Sequence, residues 1–134
     1  MEIASLVTPF VVRADASETL ATVARRMWAH EIGALPVFDG EVLAGIVTER
    51  DVVTAMALGA GPDAGAAAFM TPRPVAVRAA DDAAMVARRM LDLDVRHLPV
   101  VDGERVVGTV SARDLLALVA WPGGAPANTL AASA

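Results

Sequence analysis

The chain contains no cysteine, no lysine and no tyrosine, and only 4% of its residues are aromatic. Absence of cysteine excludes disulfides and thiolate metal centres. Absence of lysine excludes a Walker-type phosphate loop, which needs one. All 11 basic residues are therefore arginine, set against 16 acids for a net charge of −5. The basic surface that a nucleic-acid duplex binder presents is not expected from this balance. A small anion held by two or three arginines remains compatible with it, because a local cluster acts against an acidic background. No run of about 18 apolar residues occurs, so no membrane span is expected despite a mean hydropathy of +0.51. The opening "MEIASLVTPF" lacks the basic cluster of a secretory signal, so the expected setting is the cytoplasm.

Reactive side chains are also scarce. No serine stands in a nucleophile elbow, and neither histidine has a matched carboxylate partner, so catalysis is not expected. His30 and Glu31 are adjacent rather than one helical turn apart, and His97 has no ligand at metal-binding spacing. A metal site is not expected, and His97 reads first as a packing residue.

What is present is apolar and repeated. Hydrophobic residues make up 55% of 134 residues, enough for one compact domain or two halves sharing a core of Val, Leu, Ile, Ala and Met. Sliding the chain by 63 positions superposes "TP" (8–9) on "TP" (71–72), "VARRM" (23–27) on "VARRM" (86–90), and "LPVFDGE" (35–41) on "LPVVDGE" (98–104). About 21 of 50 pairs between 8–57 and 71–120 are identical without a gap. The expected organisation is a first repeat with its lead-in over 1–57, a linker over 58–69, a second repeat over 70–120 and a mobile tail over 121–134.

Each repeat reads β-α-β-β-α. In the first, "FVV" (10–12) is a strand candidate. A helix follows, with Leu20, Val23, Ala24 and Met27 on its apolar stripe and Asp15 or Ser17 as its cap. "ALPVFD" and "VLAGIVT" are strand runs joined by an Asp-Gly turn, and "ERDVVTAMAL" is the closing helix. In the second, "PVAV", a helix from about Asp81 to Leu91, "HLPVVD", "RVVGTVS" and "ARDLLALVA" repeat the order. "DAGAAAFM" in the linker suggests a short helix. Met27, Met56, Met85 and Met90 fall at core spacing, and Trp28 suits either core or a dimer contact. At about 50 residues neither repeat buries its apolar surface alone, so an α/β (α+β) fold is expected, with the two repeats packed about a pseudo-twofold axis.

The doubled motif is "GIVTERD" (45–51) and "GTVSARD" (108–114). A hydroxyl followed three residues later by an acid is the sequence of a helix cap, and capping alone accounts for Thr48–Asp51 and Ser111–Asp114. Capping does not require the preceding glycine, which allows a ligand or another backbone to approach closely. Nor does it require Arg50 and Arg113. An ionised carboxylate accepts hydrogen bonds from two vicinal hydroxyls at once, as a ribose presents them, while an arginine suits a phosphate. The residue types point to a nucleoside phosphate in a cleft between the halves.

The combination of "TP", the "VARRM" helix, "LPVFDG"/"LPVVDG" and the doubled motif over 8–120 resembles a tandem pair of CBS domains, also called a Bateman module. The resemblance implies adenosine-nucleotide binding, by AMP, ADP, ATP or S-adenosylmethionine, with Thr48, Asp51, Ser111 and Asp114 on ribose or phosphate. It also implies base contacts from Arg13, Gly33, Ala34 and Pro36, and from Val77, Arg96, His97 and Pro99. Arg96 against Gly33 makes the two expected pockets unequal. No cofactor is implied beyond the regulatory nucleotide. The partners implied are a second copy of the chain and an effector protein that the sequence does not identify. The alternative is an assembly module of the same fold, with vestigial clefts and capping acids.

Overall fold

The computed structural model describes residues 1–9 and 12–123. Phe10 and Val11 of the "FVV" candidate, and the tail beyond residue 123, lie outside them. Val12 is in a bend, and the opening strand of the first repeat comes later, as β2 (Ala14–Asp15). Contacts divide the chain into two units. One runs to Pro74. The other joins the N-terminal segment to the chain from Val75 onward.

The unit holding the first repeat contains β2, α1 (Leu20–His30), β3 (Ala34–Asp39), β4 (Val42–Thr48), α2 (Glu49–Ala57), α3 (Ala66–Phe69) and β5 (Thr71–Pro72). Its sheet has the order β2-β3-β4-β5, with β2 parallel to β3 and the other pairs antiparallel. The β3–β4 hairpin turns through Gly40 and Glu41, and Gly40 takes φ +63. Only the first loop residue needs a positive φ, which is why glycine stands there. Leu35, Pro36, Val37 and Phe38 are buried in succession, the pattern of a strand covered on both faces. Pro36 is tolerated there because β2 spans only Val37 and Phe38, leaving Pro36 with β4 alone as a neighbour.

Helix α1 starts at Thr19, whose hydroxyl accepts the Thr22 N–H at 3.2 Å, not at Asp15 or Ser17. Asp15 instead forms the turn before it. Its carboxylate accepts from the Ser17 N–H, and its own N–H donates to Glu18 at 2.8 Å. Leu20, Val23 and Met27 pack on Leu35, Val37, Val47 and Ala66 as the core. Arg26, on the flank of the helix, forms a two-pronged pair with Glu18 at 2.7 and 2.9 Å and donates to the Arg13 carbonyl.

The second unit repeats this plan with β6 (Val77–Arg78), α4 (Ala83–Leu93), β7 (His97–Asp102), β8 (Arg105–Ser111) and α5 (Ala112–Ala120). Its sheet order is β1-β8-β7-β6, where β1 is Thr8–Pro9. Of "PVAV" only Val77 enters the ladder. Asp82 caps α4 through the Ala84 N–H, so the helix begins and ends two residues later than its sequence suggests. Ile3, fully buried, joins Val77, Val86, Met90, Leu98, Val100, Val110 and Leu115 in this unit's core.

The units are offset from the sequence repeats in one respect. Thr8–Pro9 opens the first repeat but pairs with β8 of the second, and Thr71–Pro72 opens the second but pairs with β4 of the first. Met27 and Met90 are core residues as their spacing predicts. Met56 and Met85 are not: they lie on the outer faces of α2 and α4, at 79% and 37% exposure. Trp28 is likewise outside the core.

Candidate functional site

The two motifs end strands β4 and β8 and begin helices α2 and α5. Thr48 and Ser111 have extended backbone and occupy the N-cap positions. Asp51 Oδ2 accepts the Thr48 N–H at 2.7 Å and its hydroxyl at 3.2 Å. Asp114 Oδ2 accepts the Ser111 N–H at 2.9 Å and its hydroxyl at 2.8 Å, while the Asp114 N–H donates to Ser111 Oγ at 3.1 Å. Both are capping boxes. In each, both bonds that the acid accepts among the described residues fall on Oδ2.

The segment before "LPV" is tied to the same turn. The Gly33 carbonyl accepts the Glu49 N–H at 3.1 Å, and the Arg96 carbonyl accepts the Ala112 N–H at 2.8 Å. Ala34 lies across from Thr48 and His97 across from Ser111 in their hairpins. Gly33, Ala34, Thr48, Arg50 and Asp51 therefore gather at one end of the first sheet, and Arg96, His97, Ser111, Arg113 and Asp114 at the matching end of the second. Arg50, Arg96 and Arg113 are exposed, while Asp51, Asp114, Ala34 and His97 are half-buried. In α5 the Ala112 N–H donates to the Arg96 carbonyl and the Asp114 N–H to Ser111 Oγ, so two of the first-turn N–H groups are spent inside the protein.

The remaining candidates sit differently. Pro36 and Pro99 are fully buried and Val77 nearly so; their side chains belong to the cores, which leaves only their backbones for contact. Arg13 stacks on the Phe38 ring at 4.5 Å and approaches Glu41 at 3.7 Å. Its counterpart one repeat on is Ala76, since Val77 corresponds to Ala14. Arg13 thus covers an aromatic core residue, a role its sequence position did not suggest. The motif glycines serve a backbone. A Cβ at Gly45 would meet Thr71 O at 2.6 Å, and one at Gly108 would collide with the Thr8 carbonyl and approach Val7 Cγ1 to 2.7 Å. The close approach expected there is made by β5 and β1, so "TP" and the glycine are two halves of one contact. Among the described residues no group of three or more His, Asp or Glu comes together, and no helix is long and apolar enough to cross a membrane.

Comparison with known proteins decides the family, because CBS domain matches fall on both repeats, at residues 3–58 and 66–120. The chain belongs to the CBS domain family. It is 34% identical over 104 residues to hypoxic response protein 1 of Mycobacterium tuberculosis, covering 73% of this chain and 71% of that protein. A solved structure of Hypoxic Response Protein I with two coordinated zinc ions matches at a TM-score of 0.73 and 30% identity, over 87% of this chain and 97% of that one. A CBS-domain containing protein of Agrobacterium tumefaciens matches at a TM-score of 0.82 and 27% identity, over 87% and 97%. The CBS domain pair of protein MJ0100, in complex with 5′-methylthioadenosine and S-adenosyl-L-methionine, matches at 0.80 and 25%, over 89% and 99%. The two CBS repeats of this chain thus carry the pair architecture found in these structures.

Proposed function

We propose that the protein is a regulatory ligand-sensing module that binds an adenosine nucleotide at the first turns of α2 and α5. The observation that carries this reading is the matched placement of Thr48 with Asp51 and of Ser111 with Asp114, each acid taking its bonds among the described residues on one carboxylate oxygen. In this reading Asp51 and Asp114 accept from ribose hydroxyls, Arg50 and Arg113 take the phosphate, and the backbones of Gly33–Pro36 and Arg96–Pro99 frame the base. A CBS-domain pair at 25% identity in complex with S-adenosyl-L-methionine and 5′-methylthioadenosine supports the adenosine class. The module acts in the cytoplasm, as a homodimer and through an effector protein. The nucleotide biases its conformations only by binding one of them better than another.

A second reading, an assembly module without ligand, is favoured by a different observation. Large apolar side chains are exposed at the same positions of both repeats: Trp28 and Leu91, Val53 and Leu116, Met56 and Val119, Leu58 and Trp121. Thermal melts separate the readings. A nucleotide sensor gains Tm with the logarithm of nucleotide concentration. An assembly module gains it only with protein concentration, and a Tm indifferent to millimolar AMP, ADP, ATP and S-adenosylmethionine contradicts the first reading.

A further inference from the structure

The two first turns are alike in their caps and opposite in their charge. In the first unit the backbone bond from the Glu49 N–H to the Gly33 carbonyl joins a glycine to an acid. In the second, the equivalent bond from the Ala112 N–H to the Arg96 carbonyl joins an arginine to an alanine. The hydrogen bond holds the two positions side by side, so the repeats differ by two unit charges at one place. Around Thr48 stand one arginine, Arg50, and two acids, Glu49 and Asp51. Around Ser111 stand two arginines, Arg96 and Arg113, and one acid, Asp114. Glu49, Arg96 and Arg113 are all exposed, and none of the three is in an ion pair among the described residues.

Resting on the nucleotide reading above, we propose that the two CBS repeats divide ligands by charge. The Ser111–Asp114 turn favours a phosphorylated adenosine, and the Thr48–Asp51 turn holds the same nucleotide more weakly, which leaves it to an adenosine derivative without phosphate. A phosphate monoester carries between one and two negative charges near neutral pH. Glu49 repels it at the first turn, and Arg96 attracts it at the second. Exposed charges of this kind each change affinity by a few-fold at most, so two of them acting together give about a tenfold preference. The ribose contacts, which both repeats supply equally, do not discriminate.

The test is an NMR titration of the full chain at low ionic strength with two probes, AMP and adenosine. The backbone amides of Arg50 and Arg113 report the two turns separately. The account predicts that AMP saturates the Arg113 signal at about tenfold lower concentration than the Arg50 signal, with adenosine showing no such preference. Glu49→Ala raises the AMP-to-adenosine affinity ratio at the first turn several-fold. Arg96→Gly lowers that ratio at the second turn. Both positions are exposed, so neither change disturbs a core, and added salt narrows both effects. Equal AMP affinity at the two turns, or ratios unmoved by both variants, overturns the division by charge and leaves nucleotide binding standing. Failure of both probes to move either signal overturns the nucleotide reading itself.

Discussion

Gly45 and Thr71 meet backbone to backbone: a Cβ on Gly45 would lie 2.6 Å from the Thr71 carbonyl oxygen and 2.5 Å from Met70 Sδ. Gly108 stands in the same relation to Thr8. Neither glycine has a positive φ, so the constraint is room rather than backbone conformation. Gly45→Ala and Gly108→Ala each force a strand apart and lose about 1–3 kcal/mol. Urea denaturation reads this as a lower midpoint with an unchanged slope.

The hydroxyl of the second motif carries more than that of the first. Ser111 is buried at 6% exposure, and its Oγ both donates to Asp114 Oδ2 and accepts from the Asp114 N–H. Ser111→Ala removes both bonds at a buried place and costs about 1–2 kcal/mol. Thr48→Ala, at a less buried cap with a longer 3.2 Å hydroxyl bond, costs less. Paired thermal melts of the two variants give the order.

Acid weakens the first unit through Glu18. The Arg26 guanidinium, and after it the Asp15 N–H, hold the Glu18 carboxyl below its usual range. A carboxyl with a depressed folded pKa contributes stability that is present above its unfolded pKa and is lost as pH falls toward the folded value. Stability therefore declines as the pH is lowered through the range below about 4.5. Glu18→Gln, already uncharged, shows a lower Tm at neutral pH and a shallower decline on acidification. An equally steep decline in the variant contradicts this assignment.

Trp28 and Leu91 are 84% and 81% exposed at equivalent positions of α1 and α4. They are among the exposed apolar side chains that the proposed homodimer would cover. Trp28→Glu with Leu91→Glu is expected to shift sedimentation from dimer to monomer at micromolar concentration while leaving the far-UV spectrum unchanged. A wild-type chain that sediments as a monomer throughout contradicts the dimer.

Much of this molecule was legible before its structure. The strands over 34–39, 42–48, 97–102 and 105–111 and the helices beginning at Glu49 and Ala112 fall where the repeated pattern places them. Their signals are local: an Asp-Gly turn, an apolar run and a hydroxyl-acid cap. What the sequence hid is non-local. Nothing near Thr8 or Thr71 says that each pairs with the hairpin of the other repeat, and so the purpose of Gly45 and Gly108 was half-seen, a close approach without its partner. Met56 and Met85 share the helical spacing of core methionines, but periodicity names a stripe and not which stripe is covered. The family resemblance implies a base contact near Arg13; that its guanidinium lies on Phe38 was not legible, because this neighbour is supplied by tertiary packing. The capping boxes account for the hydroxyl and the acid of each motif; the proposed ribose role rests on the carboxylate oxygen that takes no bond among the described residues.

The most direct measurement is a calorimetric titration of the full chain with AMP, repeated on Asp51→Ala, Asp114→Ala and the double variant, each first shown to be folded by circular dichroism. The account predicts saturable binding to the wild type, loss of one class of sites in each single variant and no binding to the double variant. Undiminished affinity in the folded double variant would contradict it.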